Sequence, residues 1–138
     1  MIKYLFLVAI FNSFVADAYV RQMVSANLNM FFAYQVPVPR LTATDQRFTS
    51  IINRSARLIC SAPEFDDLAK EVGLKKHHTI DLAERARLRA ELDGQVAHLY
   101  GLTESEFAHI LGTFPLVAEP VKVAALNAYR DVERGLVA

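Results

Sequence analysis

In this 138-residue chain, the stretch whose apolar residues alternate with a period of two is FFAYQVPVPR, where Phe32, Tyr34, Val36 and Val38 would face one way. It also carries Pro37 and Pro39. Proline donates no backbone hydrogen bond, so the segment cannot be a central strand and is expected to lie extended across the domain surface over 31–39. Everything else must be built from helices. The expected fold is mainly α, a helical bundle with one short extended Pro-x-Pro segment, forming a single domain over 1–138. A hydrophobic content of 53% with only 5 Gly and 5 Pro fits a packed, helix-rich domain and argues against disorder.

The helices announce themselves by their ends. Thr44 or Asp45 can cap DQRFTSIINRSARLIC, whose Phe48, Ile51, Ile52, Ser55 and Ile59 fall on one face. Pro63 begins PEFDDLAKEVGL and Gly73 stops it. Asp81, with Glu84 as capping-box partner, opens DLAERARLRAELDGQVAHLY, whose apolar stripe is Leu82, Ala86, Ala90, Val96, Ala97 and Tyr100. Arg89 and Asp93 fall inside that stripe four apart, as a pair at a helix contact. Gly101 ends that helix and Thr103 with Glu106 caps SEFAHIL. A last helix, EPVKVAALNAYRDVERG, would place Val121, Ala124, Ala125, Ala128 and Val132 inward and close at Gly135.

The first residues, MIKYLFLVAIFNSFVADA, imitate a secretory signal, with Lys3, an apolar run and Ala16-Asp17-Ala18 in A-x-A form. Yet over 11–24 Phe11, Phe14, Val15, Ala18 and Tyr19 share one helical face and Asn12, Ser13, Ala16, Asp17 and Arg21 the other. Asp17 and Arg21 are four apart and can pair, and Ser25 and Asn27 mark the end. The pattern runs through the would-be cleavage site, so the segment is expected to be a helix of the fold. Asn12, Ser13 and Asp17 also interrupt it before the roughly 18 to 20 residues a bilayer needs. A secreted helical protein starting at Tyr19 remains the competing reading. The single cysteine, Cys60, allows no internal disulfide, which favours a reducing, cytoplasmic setting.

Net charge is zero but unevenly spread. Between Tyr19 and Cys60, Arg21, Arg40, Arg47, Arg54 and Arg57 meet only Asp45; from Asp81 onward acidic residues exceed basic ones. Arg47, Arg54 and Arg57 lie three or four apart, opposite the apolar face of their helix. Such a stripe can track a phosphate backbone, or it can pair with carboxylates of the acidic half. His77 and His78 are adjacent and diverge, which suits a solvated loop better than a metal site. Cys60, near arginines, is either a somewhat activated thiol or a buried structural one. No glycine-rich phosphate loop, catalytic triad or metal-ligand cluster is visible, and no catalytic or metal residue is assigned. At this length the chain is short for an enzyme that also houses a cofactor. Composition and spacing thus support a helical binding module.

Three stretches in order, FNSFVADAYVRQ, NLNMFFAYQVPVPR and ERARLRAELDGQVAHLYGLTESEFAHILGTFP, resemble the C-terminal end of adenine-specific DNA methyltransferases fused into restriction-modification enzymes, the single-chain type IIG group and its phage-defence relatives. The shared features are Asn12-Ser13, Pro37-Val38-Pro39, Leu99-Tyr100-Gly101-Leu102 and Phe114-Pro115, and the likeness covers about 7–115. It implies that 1–60 corresponds to the end of a target-recognition region and 61–138 to a helical tail. It implies double-stranded DNA and a methyltransferase domain or subunit as partners, no membrane, and S-adenosylmethionine as the methyl donor of the complete enzyme. The family's Asn-Pro-Pro-Tyr type motif and its glycine-bearing cofactor motif are missing here, so no cofactor is expected on this chain, which should not methylate alone and looks like a truncated, split or separately encoded tail. The residues expected to contact DNA are Arg21, Gln35, Arg40, Arg47, Arg54 and Arg57. The alternative is a structural interaction module that packs on a methyltransferase or nuclease subunit and touches no DNA.

Overall fold

The computed structural model describes residues 2–24 and 27–137, and among them the fold is mainly α with no strand. The first helix, α1 (Ile2–Phe11), is apolar on almost every side, which suits an element covered all round better than a surface helix. Leu5, Phe6, Ala9 and Ile10 point into the core. Asn12 ends it by donating from Nδ2 to the Val8 carbonyl at 2.8 Å. Ser13 donates to the Ile10 carbonyl at 2.6 Å and accepts the Ala16 N–H at 3.2 Å, which caps α2 (Phe14–Met23).

The two helices meet at a bend of 65°. The helix expected over 11–24 therefore begins at Phe14, and the face assignment counted through the break fails. Ser13 and Ala16, expected on the polar side, are buried, whereas Phe11 and Tyr19 are exposed. The bend resets the helical phase, which a uniform 100° count cannot register. Ser25 as a helix end and the side chain of Phe32 lie outside the described residues.

The proline segment is only half extended. Met30–Ala33 forms a short helical turn, α3, closed by Ala33 N–H to Asn29 and Tyr34 N–H to Met30, both at 3.0 Å. Pro37 restricts itself and the residue before it but nothing further upstream, so the ribbon proper starts at Pro37. Val36 is buried and Val38 packs on the core edge.

Next comes α4 (Gln46–Ile59), capped by Asp45, with Phe48, Ile51, Ile52, Ser55 and Ala56 buried against α1. A 3-10 turn at Pro63–Phe65 runs into α5 (Asp66–Glu71), and Gly73 (φ +82°) supplies the left-handed residue that ends it.

The long α6 (Leu82–Leu99) is capped by Asp81, whose carboxylate accepts the Glu84 N–H at 2.7 Å. Its buried residues are Leu88, Leu92, Gly94, Gln95, Val96 and Ala97; Leu82, expected in the stripe, is largely exposed. Thr103 and Glu106 form a full capping box on α7 (Glu104–Gly112). In α8 (Glu119–Glu133) the buried residues are Ala125, Ala128 and Tyr129; Val121 and Ala124, expected inward, are exposed. The correction follows from Gly94. A Cβ there would lie 2.7 Å from the Ala128 carbonyl carbon and the Tyr129 nitrogen, so α6 and α8 cross backbone to backbone and the Ala128 face must turn inward. Tyr129 then stacks on His98, ring centroids 4.0 Å apart, and donates its hydroxyl to the Leu102 carbonyl at 2.7 Å.

Candidate nucleic-acid interface

The arginine stripe of α4 lies beside the acidic residues of α6. Arg54 Nε donates to Glu91 Oε2 at 2.6 Å, and its Nη1 donates to Ser50 Oγ. Gln95 Nε2 donates to the same Ser50 hydroxyl at 2.8 Å. The Arg54 and Glu91 side chains are only 16% and 12% exposed, so this pair is withdrawn from solvent. Arg57 Nη2 meets Glu84 Oε1 at 2.5 Å, and Arg87 bridges Glu84 at 2.7 Å and Glu91 at 2.5 Å. The order Arg57, Glu84, Arg87, Glu91, Arg54 is an alternating ladder joining α4 to α6. The Arg87 guanidinium, with Arg57 beside it, holds the Glu84 carboxyl below the usual range. Glu84 spends its carboxylate here and not on the Asp81 N–H, so the capping box expected at α6 is present only in its Asp81 half.

Arg47 stands apart. It pairs with Asp45 at 2.7 Å on the surface, with its side chain 64% exposed. Gln35 Nε2 donates to the Phe31 carbonyl at 3.2 Å, and Arg40 is exposed on the ribbon. Arg21, expected to pair with Asp17, instead donates to the Thr113 carbonyl at 3.1 Å and lies over the Phe114 ring, 4.4 Å from its centroid. The six arginine and glutamine positions thus separate into exposed residues, Gln35 in the turn before the ribbon, Arg40 on it and Arg47 nearby in sequence, and residues engaged in holding helices together, Arg21, Arg54 and Arg57.

The stretches that carry the resemblance meet in space. The Asn12-Ser13 corner is fastened to α6 through the Phe14 N–H, which donates to Asp93 Oδ1 at 2.9 Å. The Pro37-Val38-Pro39 ribbon is fastened to the Leu99-Tyr100-Gly101-Leu102 turn by the Tyr100 hydroxyl, which donates to the Pro37 carbonyl at 2.5 Å. Phe114 packs edge-on against Phe14 with centroids 4.9 Å apart. Asp93, expected as a partner of Arg89, has the α2 amide as its hydrogen-bond partner, and burial beneath the corner pushes its carboxyl up to about 7.

Cys60 is buried, and burial with Asp66 nearby raises its thiol above the ordinary value, so it is not an activated nucleophile. His77 is pinned to Asp66 at 2.7 Å through Nδ1. Among the described residues no three His, Cys, Asp or Glu side chains converge as metal ligands. The described residues form no strand, and Ser13, Asp45, Asp81 and Thr103 cap the N-termini of α2, α4, α6 and α7. No helix among the described residues is long and apolar enough to cross a membrane; α1 and α2 satisfy length and composition only as a bent pair.

The ladder realises the alternative in which the α4 arginines pair with carboxylates of the acidic half; the sequence reading does not identify its particular members, though Glu84, Arg87 and Glu91 lie three and four apart on one face of α6. Tyr4, Val8 and Phe11 stay exposed at helical spacing on the outward surface of α1, and Leu28, Met30 and Tyr34 are exposed just before the ribbon. Comparisons with protein-family models, curated proteins and solved structures found no match.

Proposed function

We propose that this chain is the C-terminal DNA-recognition and accessory part of an adenine-specific DNA methyltransferase or restriction-modification enzyme, non-catalytic on its own and cytoplasmic. The observation that carries the reading is the convergence just described. The stretches that resemble the family, distant in sequence, are the ones that fasten the α1–α2 corner, the ribbon and the helical tail to one another. On this reading they build a frame, the exposed Tyr4, Val8 and Phe11 face of α1 docks on the methyltransferase body, and the ribbon is presented to double-stranded DNA. Gln35 and Arg40 then contact phosphates or base edges. Arg47 joins them, because a surface pair such as Arg47 with Asp45 exchanges easily for phosphate. Arg21, Arg54 and Arg57 reach DNA only by giving up their partners within the fold. S-adenosylmethionine belongs to the complete enzyme.

A second reading, an interaction module that touches no DNA, is favoured by the ladder, which engages Arg54 and Arg57 with carboxylates. Sedimentation velocity separates the two. The chain is run alone, with duplex DNA, and with a type IIG methyltransferase domain that ends before its own Asn-Ser helix. Co-sedimentation with the domain, lost in Tyr4→Glu/Phe11→Glu, supports docking through α1. Duplex binding lost in Arg40→Ala/Arg47→Ala supports the first reading; domain binding without any duplex binding supports the second. Absence of both overturns the proposal.

A further inference from the structure

The loop after α5 walls a pocket of about 280 Å³ lined by Arg57, Cys60, Lys75, Lys76, His77 and His78. The loop is held at three points. Leu74 N–H donates to the Ala69 carbonyl at 2.8 Å beside Gly73, His77 N–H donates to Asp66 Oδ1 at 2.7 Å, and His78 N–H donates to the Cys60 carbonyl at 2.9 Å. Its basic side chains are therefore presented from a fixed backbone, which lowers the ordering cost of binding.

The charges do not cancel. Arg57 shares Glu84 with Arg87, and His77 takes Asp66, but Lys75 and Lys76 meet no carboxylate among the described residues. Buried Cys60 also lines the pocket, and burial raises its thiol, so it adds no negative charge there. Arg57, Lys75, Lys76, His77 and His78 thus all line one concavity, where Glu84 and Asp66 offset Arg57 and His77 and the two lysines carry the excess positive charge. That set suits a multiply charged oxyanion with several acceptor oxygens better than a single carboxylate.

The geometry points to a phosphate-binding site at this loop, with Lys75 and Lys76 as its principal ligands and His77, His78 and Arg57 around them. The phosphate can be a free one or a phosphodiester of nucleic acid, and the two sources differ in a measurable way.

The full chain is titrated with inorganic phosphate while the imidazole C–H resonances of His77 and His78 are followed by NMR. The variants are Lys75→Gln/Lys76→Gln and, as a control away from the pocket, Lys3→Gln/Arg134→Gln; backbone fingerprint spectra establish that each is folded. A saturable shift is expected, weakened at least about tenfold in the pocket variant, as for the loss of one charge-assisted hydrogen bond, and unchanged in the control. The pocket variant is also tested on duplex DNA. If the ligand is a phosphodiester, two phosphate contacts vanish from the salt dependence, and the affinity lost over a tenfold rise in salt shrinks by about 60-fold. A free phosphate leaves that slope unmoved while the NMR shift still saturates. Shifts that do not saturate, or that saturate equally in the pocket variant, together with an unmoved DNA slope, overturn the site. Neither readout involves docking to a methyltransferase domain, so failure here is distinguishable from failure of the accessory role.

Discussion

The hydroxyl of Tyr100 donates to the carbonyl of Pro37 across 63 residues of chain, at 2.5 Å. A ribbon that contains two prolines has few backbone donors of its own, and this bond holds its first residue to the end of α6. Removing the donor should release the ribbon without disturbing the helices. Tyr100→Phe is expected to cost about 1 kcal/mol in urea denaturation. It should also speed tryptic cleavage after Arg40, seen by mass spectrometry of a timed digest. An unchanged digestion rate would mean that other contacts hold the ribbon.

The ladder between α4 and α6 predicts a sharp difference among its arginines. Arg54→Ala leaves Glu91 withdrawn from solvent with Arg87 as its remaining partner, and should destabilise by about 2 to 3 kcal/mol, somewhat under the figure for a fully buried pair. Arg47→Ala removes a solvated pair and should leave the denaturation midpoint where it is. Equal effects of the two substitutions would contradict the distinction drawn between frame and exposed arginines.

The α6–α8 crossing makes Gly94 intolerant of any side chain. The atoms a Cβ would strike are backbone and cannot swing away, so Gly94→Ala should destabilise by about 1 to 3 kcal/mol even though alanine is the better helix former. Gly112, at the end of α7, has open space around its Cβ position, and Gly112→Ala should be neutral or stabilising by up to about 1 kcal/mol. Thermal denaturation of the two variants side by side checks the pair.

Asp93 gives the fold a pH dependence of definite sign. Burial pushes its folded carboxyl up to about 7, above the ordinary aspartate value of about 3.9, so between those values the folded state holds a proton that the unfolded chain has released. Stability from this group is therefore present at low pH and lost as pH rises from about 4 to 7, with a slope of at most about 1.4 kcal/mol per pH unit. Asp66, held below its ordinary value first by the His77 backbone N–H, acts in the opposite sense and loses its contribution as pH falls below about 4. Asp93→Asn keeps an acceptor for Phe14 and should flatten the loss between pH 4 and 7. A denaturation series in pH for both proteins, with no difference in slope, would contradict the assignment.

Much of the fold was legible because helix ends carry local chemistry. Asp45, Asp81, the Thr103–Glu106 box and the stops at Gly73, Gly101 and Gly135 all depend on residues within a few positions of one another. Faces were less legible. In α1 apolar residues lie all round, so no period singles out the inward side, and the Asn12-Ser13 bend shifts the phase of everything after it. Leu82 is exposed since it lies at the start of α6, before α4 and α8 cover it, and periodicity cannot see where a neighbour ends. Spacing alone leaves the partners of Arg54 and Arg57 open for the same reason. Spacing along α4 places guanidiniums on one face, but only tertiary packing says that the face meets Glu84 and Glu91 and not solvent.

The central claim, that this chain completes an adenine methyltransferase without performing the chemistry itself, is tested most directly by methyl transfer from radiolabelled S-adenosylmethionine to duplex DNA. A type IIG methyltransferase domain ending before its own Asn-Ser helix is assayed with and without the chain. The account predicts no incorporation by the chain alone, and adenine methylation by the domain that rises when the chain is added and falls back with Tyr4→Glu/Phe11→Glu. Methylation by the chain alone, or a domain indifferent to its presence, would contradict it.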